Sequence, residues 1–403
     1  MNIAVAQSGG PTCAINASLV GVFRQALKTQ GIDAVFGSKC GIEGIIGDDL
    51  IDLKRVIRTN EDMELLRQTP ATVLGSCRYK LPECTYEDNN GAEIYDRIFG
   101  VLDKHRIEAL FYIGGNDSMD TVQKLSEYAT RIGSGIRFIG IPKTIDNDLP
   151  VTDHTPGFGS AVKYVCASVQ EIIRDSSVYS FDSVTIIEVM GRHTGWLAAS
   201  SCLLRANEEV APHLIYLPES EFSTERFLED VRAECAKHRA VIVAVSEGIE
   251  LDISGVRSGV SDNFGHMYLS GVGRALEQLV RDEIGCKVRS IELNVMQRCS
   301  SHICSKTDID EAEAIGAEAV KAAMRGETGV TMVFRRISDK PYVVTIESAD
   351  TALMANKEKF VPREWINVAG NNISDEAIKY FLPLIRGEVD IKMRNGMPVH
   401  FKM

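Results

Sequence analysis

The chain has 403 residues, enough for two domains of ordinary size, and its 44% hydrophobic and 25% charged content is that of a globular protein. A net charge of -12 argues against nucleic acid or an acidic membrane surface as the main partner, so any phosphate handling must rest on locally concentrated basic residues. No apolar run reaches the roughly 18 residues of a membrane span, and the start, Met1-Asn2-Ile3-Ala4-Val5, lacks the basic and long apolar regions of a signal peptide.

The elements follow a rhythm of strand, glycine turn and helix. Residues 2–6 predict a short strand, and Ser8-Gly9-Gly10-Pro11 a turn. Residues 14–29 then place Ile15, Leu19, Val22, Phe23, Ala26 and Leu27 at helical spacing. A strand at 34–36 completes a βαβ unit, whose crossover should be right-handed. A second unit has a strand at 109–113, the turn Gly114-Gly115-Asn116-Asp117-Ser118, a helix at 119–132 and a closing strand at 136–141. A third has a strand at 184–189, the turn Gly191-Arg192-His193-Thr194-Gly195 and an apolar helix at 196–204.

Further strands are predicted at 213–217, 240–245 and 288–295, with a helix at 224–238 joining the first two. Residues 253–273 are glycine-rich and polar and read as a mobile loop. After a helix at 310–325, strand-like runs occur at 330–334 and 342–346. The alternation argues for parallel sheets flanked by helices, and the number of strands for two sheets, divided near residue 150.

The segment Ile141-Pro142-Lys143-Thr144-Ile145-Asp146-Asn147-Asp148 carries the most chemistry. It puts a cation, a hydroxyl and two carboxylates at the end of a buried strand, the edge where open α/β sheets bind ligands. Such a set suits phosphoryl transfer to a hydroxyl: Asp146 takes the proton and Lys143 neutralises phosphate charge. The other reading is a polar surface turn. The glycine turns at Ser8-Gly9-Gly10 and Gly114-Gly115 open helices, where backbone N–H groups favour anions. Neither has G-x-G-x-x-G or P-loop spacing, and glycine also serves tight turns for conformational reasons alone. Ten cysteines without paired spacing fit thiols in a reducing cytoplasm, and Cys299-Ser300-Ser301-His302-Ile303-Cys304 matches no common zinc pattern.

Pro-Lys-Thr-Ile-Asp-Asn-Asp resembles the catalytic segment of the phosphofructokinases, in the form carried by the pyrophosphate-dependent members. The resemblance runs from Asn2 to about Arg298. It implies an α/β chain of two Rossmann-like parallel-sheet domains of the phosphofructokinase fold. Residues 1–150 would form the donor-binding domain, 151–300 the sugar-phosphate domain, and 301–403 a segment packing back on both. It places the general base at Asp146, the transferred donor near Gly9 and Gly10, and a donor-contacting arginine at Arg78 of Gly75-Ser76-Cys77-Arg78. Asp117 stands where ATP-using members have a glycine that leaves room for the α-phosphate, and Lys143 replaces another of their glycines. Together they favour inorganic pyrophosphate over ATP; a helix N-cap is the other reading of Asp117.

On the sugar side, Glu188-Val189-Met190-Gly191-Arg192 resembles a family motif almost letter for letter. It implies that Met190 and Gly191 approach the sugar and that Arg192 faces the phosphoryl in transit. Thr144 and Ile145 would join Asp146 against the substrate. Glu247 would accept from sugar hydroxyls, and Arg289 and Arg298 would clamp the 6-phosphate of fructose 6-phosphate. Val295 stands where the family often has histidine or tyrosine, and Ser183 where ATP-using members have an arginine that reaches a neighbouring subunit. Magnesium would be held by Asp148 and Asn116, the latter an aspartate in most of the family. The resemblance further implies a cytoplasmic homodimer or homotetramer. The rival readings are an ATP-dependent 6-phosphofructokinase, a catalytically silent regulatory subunit of the same fold, and a nicotinamide-dependent dehydrogenase. Asp117 and Lys143 oppose the first, retention of Asp146, Asp148, Arg192 and Glu247 the second, and the missing G-x-G-x-x-G the third.

Overall fold

The computed structural model describes residues 1–83, 91–251 and 271–403, and its strands sort into two large sheets and a two-stranded ribbon, Met393–Arg394 with Met397–Pro398. In chain order the first strands are β1 (Asn2–Gln7), β2 (Ala34–Ser38), β3 (Leu50–Asp52), β4 (Ile107–Gly114) and β5 (Arg137–Pro142). Then come β6 (Ser183–Val189), β7 (Leu214–Tyr216), β8 (Ala240–Ser246) and β9 (Lys287–Glu292), and last β10 (Val330–Asp339) and β11 (Tyr342–Asp350). The larger sheet has the order β11-β10-β5-β4-β1-β2-β3, and the smaller β7-β8-β6-β9. The helices of at least twelve residues are α1 (Ile15–Lys28), α2 (Ala92–Lys104), α3 (Asn116–Ile132), α4 (Phe158–Ser176), α5 (Thr224–Cys235), α6 (Val272–Glu283) and α7 (Lys306–Met324).

Both faces of each sheet are covered, which is why the central strands read as continuous apolar runs rather than as alternation. Ile3 and Val5 of β1 pack toward α1 and α7, while Ala4 and Ala6 pack on the opposite face with Tyr95 and Ile98 of α2 and Val122 and Leu125 of α3. In the smaller sheet, Ile187 and Val189 join Val162, Val165 and Val169 of α4. Val184 and Ile186 join Phe227 of α5 and Leu276 of α6 on the other side.

Several sequence expectations need correction. The sheets are not wholly parallel: β10–β11 pair antiparallel through a short hairpin connection, and the edge strand β3 returns antiparallel to β2 after the short helix Ile42–Ile46. The runs at 330–334 and 342–346 are one long hairpin, joined through β10 to β5 of the first sheet. The expected strand at 288–295 ends at Glu292, and Val295 precedes a four-residue helix, Met296–Cys299. The apolar helix at 196–204 is α-helical only over Trp196–Ser200 and tightens into a 3₁₀ helix at Ser201–Asn207. The 19-residue helix α4 went unpredicted. Its apolar positions, Val162, Val165, Val169 and Ile173, are helically spaced, but β-branched residues weaken the signal. Of the expected loop at 253–273, residues 253–270 lie outside the described residues, and Val272 already begins α6.

Candidate active site

Five parallel strands aim their carboxyl ends at one cavity of about 550 Å³, within the range of small-molecule sites. From the first sheet, β1 ends in Ser8-Gly9-Gly10, β4 in Gly115-Asn116-Asp117, and β5 in Lys143-Thr144-Ile145-Asp146. From the second, β6 ends in Met190 and Arg192 and β8 in Glu247, all of which line the cavity.

The donor-side cations converge on the Gly9–Gly10 turn. Gly9 adopts φ +74°, and a Cβ there would lie 3.4 Å from Lys143 Nζ. A Cβ on Gly10 would lie 3.5 Å from Arg298 Nη1. Lys143 Nζ donates to the Gly10 carbonyl at 2.6 Å. The loop carrying Arg78 docks on the same turn: Gly9 N donates to Cys77 O at 3.3 Å, and Ser76 Oγ to Gly9 O at 2.6 Å. Arg78 and Lys80 line the cavity from there. Burial is the main cause that lowers the Lys143 pKa to about 7, with Asp146 opposing and Arg298 assisting.

Asp117 is not a helix N-cap. Gly115 holds that position, and Asp117 sits in the first turn of α3 at the cavity wall. Asn116 spends both ends of its amide on the chain at 356–357: its Oδ1 accepts from Asn356 N, and its Nδ2 donates to Lys357 O at 2.6 Å. An amide oxygen has a second lone pair, so a cation contact is still open to it.

The catalytic turn is held by its own side chains. Thr144 Oγ1 donates to Asp146 Oδ2 at 3.3 Å and accepts from Asp146 N at 3.1 Å. Asn147, with φ 54°, donates from Nδ2 to the Tyr380 hydroxyl at 2.9 Å. Burial raises the Asp146 pKa, countered first by Arg192. Burial and the neighbouring Asp146 charge push the Asp148 carboxyl up to about 7.

On the sugar side, Gly191 has φ +145°. Its N–H donates to Glu247 Oε1 at 3.3 Å, and its carbonyl accepts from Ser246 Oγ at 2.7 Å. Burial raises Glu247 to about 7 despite the Gly191 N–H. Glu188, the first residue of the Glu-Val-Met-Gly-Arg run, faces away from this work: its Oε2 accepts from Gly273 N at 2.6 Å, at the start of α6.

Gly9, Gly10, Arg78, Asn116, Asp117, Lys143, Thr144, Ile145, Asp146, Asp148, Met190, Arg192, Glu247 and Arg298 thus meet around one cavity, and Gly191 braces it from behind. Arg289 and Val295 stand outside it. Arg289 pairs with Asp175 at 3.2 Å, and Val295 is 46% exposed. Further residues also contribute. Buried Gln297 accepts from Met190 N at 3.1 Å. Gly248 lets the chain pass Arg192, since a Cβ there would lie 1.8 Å from the Arg192 carbonyl oxygen. Asn356, Glu358 and Phe360 reach the cavity from the chain after β11, far beyond Glu247 in sequence, so no local signal marked them.

A profile of the phosphofructokinase family matches residues 2–323. The chain belongs to that family. The pyrophosphate–fructose 6-phosphate 1-phosphotransferase of Halomonas elongata is 38% identical over 98% of this chain and 94% of its own. The protein of the same name from Xanthomonas campestris pv. campestris is 39% identical over 100% and 96%. Among solved structures, a pyrophosphate-dependent phosphofructokinase from Nitrosospira multiformis superposes with a TM-score of 0.87 at 35% identity, covering 98% of this chain and 95% of that one. The phosphofructokinase fold accounts for the two sheets and for the cavity at their facing strand ends. Among the described residues, no helix is long and apolar enough to cross a membrane.

Proposed function

We propose that this phosphofructokinase moves a phosphoryl group from inorganic pyrophosphate to the 1-hydroxyl of fructose 6-phosphate, giving fructose 1,6-bisphosphate and phosphate. One observation carries the donor assignment: Asp117 and Lys143 line the same cavity, with Lys143 Nζ on the Gly10 carbonyl. The carboxylate of Asp117 repels and obstructs a further phosphate, while Lys143 and Arg78 grip a short donor. The relatives named for this reaction, aligned over nearly the whole chain, support the same reading.

In the reaction, the sugar 1-oxygen attacks the terminal phosphorus, and the bond to the bridging oxygen breaks. The hydroxyl proton passes to the Asp146 carboxylate, and phosphate leaves. Arg192 and Lys143 neutralise charge on the phosphoryl in transit. Thr144 orients Asp146 through the paired hydrogen bonds. Glu247 receives sugar hydroxyls, and Arg298, joined by Arg289 of a second copy of the chain, holds the 6-phosphate. Run backwards, protonated Asp146 returns the proton, so the same groups serve gluconeogenic and glycolytic directions.

The donor set suits magnesium. Asp146 and Asp148 are neighbouring carboxyls, and the Asp146 charge helps push Asp148 up to about 7, a cost that a divalent cation would offset. Asp148 would hold the ion with the Asn116 oxygen, and the ion would supply charge neutralisation on the phosphates. We place the enzyme in the cytoplasm as a homodimer or homotetramer, a placement supported by its ten cysteines without paired spacing and by Arg289 lying outside the cavity. The deciding assay follows fructose bisphosphate with magnesium and either pyrophosphate or ATP. Turnover with ATP alone would reverse the donor assignment; turnover with neither would favour a silent subunit.

A further inference from the structure

After β11 the chain returns across the mouth of the cavity, and its residues Asn356, Glu358 and Phe360 line it. This strap is pinned at both sides. On the donor side, Asn116 takes the backbone of 356 and 357 through both ends of its amide. Asn356 Nδ2 also donates to Asp120 Oδ1 at 3.0 Å. Asn116 and Asp120 are four residues apart on α3, so they share one helix face, and the strap covers it. On the far side, Lys359 N donates to Asp148 O at 2.7 Å, and Trp196 Nε1 donates to Lys359 O at 2.8 Å. Val361 N donates to Glu219 Oε1 at 3.0 Å. Between the pins, Glu358 Oε1 meets His193 Nδ1 at 2.7 Å.

The cations that grip a donor cluster at the Gly9–Gly10 turn, and Asp117 marks where a diphosphate ends. A donor that continued beyond that point along the first turn of α3 would meet the strap backbone and the Glu358 carboxylate. We infer that the strap at 356–360 is a second donor-specificity element, which closes the cavity to anything longer than a diphosphate independently of Asp117. Asn116 and Asn356 are its positioning residues. The inference rests on the pyrophosphate reading and deepens it.

The test compares Asp117→Gly with Asp117→Gly/Asn356→Gly, using pyrophosphate, linear tripolyphosphate and ATP as donors to fructose 6-phosphate. Glycine suits position 356 because Asn356 has φ 56°, so the backbone is kept while the clamp to Asp120 is lost. The double variant should raise kcat/KM for tripolyphosphate relative to pyrophosphate by about tenfold or more over the single variant. Asn356→Asp, which sets a carboxylate against Asp120, should shift the ratio the same way and serves if the glycine variant melts early. A ratio unchanged within about twofold in both overturns the strap's role. Failure of the pyrophosphate reading looks different: the unmodified enzyme would then not turn over pyrophosphate at all.

Discussion

Asp146 is set apart from the other acidic residues of the cavity by its surroundings. It is only partly exposed, faces Arg192 and Lys143, and receives the Thr144 hydroxyl. Replacing it with asparagine keeps the shape and removes the proton acceptor. Asp146→Asn should therefore lower kcat by about 100-fold or more with little change in substrate binding or melting temperature. A drop below about tenfold in steady-state turnover would sink the general-base assignment. Lys143 makes a pH prediction. Its pKa is lowered to about 7, so the free enzyme carries this charge below that pH and loses it above. Asp148 and Glu247, raised to about 7, gain their charges as pH rises through the same region. The kcat/KM for pyrophosphate should thus peak near neutrality. Bound anionic donor holds the proton on Lys143, so the alkaline limb of kcat should lie at higher pH than that of kcat/KM. Coincident limbs would mean that Lys143 is not the group responsible.

At the scale of elements, the crossing of α1 and α7 sets the floor under the donor turn. Both helices carry a glycine at the contact. A Cβ on Gly21 would lie 2.0 Å from the Glu313 carbonyl oxygen, and one on Gly316 would lie 2.1 Å from that of Ser18. Neither contact can be relieved by a side-chain rotation, because both partners are backbone. Alanine normally favours a helix over glycine, by about 1 kcal/mol. Here Gly316→Ala should instead destabilise by about 1–3 kcal/mol, through overpacking. Urea denaturation checks this, and a variant as stable as the parent would refute the close crossing. Elsewhere, the turn after β5 is tied to distant chain by buried polar groups. His154 sits between Asp153 and Glu311, 2.8 Å from each, and stacks on Phe334 of β10. Burial disfavours its charge, but the two carboxylates outweigh that and raise its pKa to about 9. The catalytic turn is thereby fixed to α7 and to the hairpin of β10 and β11.

At the scale of the molecule, the position of Arg289 matters most. It lies on β9, half exposed beside Asp175, and reaches none of the cavity in its own chain. Lys287, two residues earlier on the same strand face, is in register with Ser183 and lies over the exposed rings of Tyr179 and Phe181. In the proposed homodimer this surface would meet the second copy, and Arg289 would complete the partner's sugar-phosphate site. Mixing Asp146→Asn protein with Arg289→Ala protein, with subunit exchange, would give mixed dimers holding one site with both defects and one with neither. Activity should reappear. No recovery after confirmed exchange would mean that each site is built from a single chain.

Much of this was readable from local pattern, because the physics behind it is local. Strand ends followed by glycine turns mark phosphate-binding edges, and Lys143 to Asp148 sit within one turn, so their shared location needs no tertiary knowledge. The likeness to phosphofructokinases was carried by such short runs. What local pattern could not show is which residues the fold brings in from elsewhere. Glu188 belongs to a matching run, yet it anchors α6 instead of facing the cavity. Asn116 reads as a ligand position, and its amide also grips residues 356–357, whose arrival depends on the hairpin of β10 and β11. Gln297 and Gly248 hold Met190 and Arg192 through contacts that no spacing rule encodes. Local sequence sets the chemistry available at each strand end, since side-chain type and turn geometry are properties of neighbours in the chain. How far the cavity extends and what closes it follow from the fold alone, because they depend on packing between segments hundreds of residues apart.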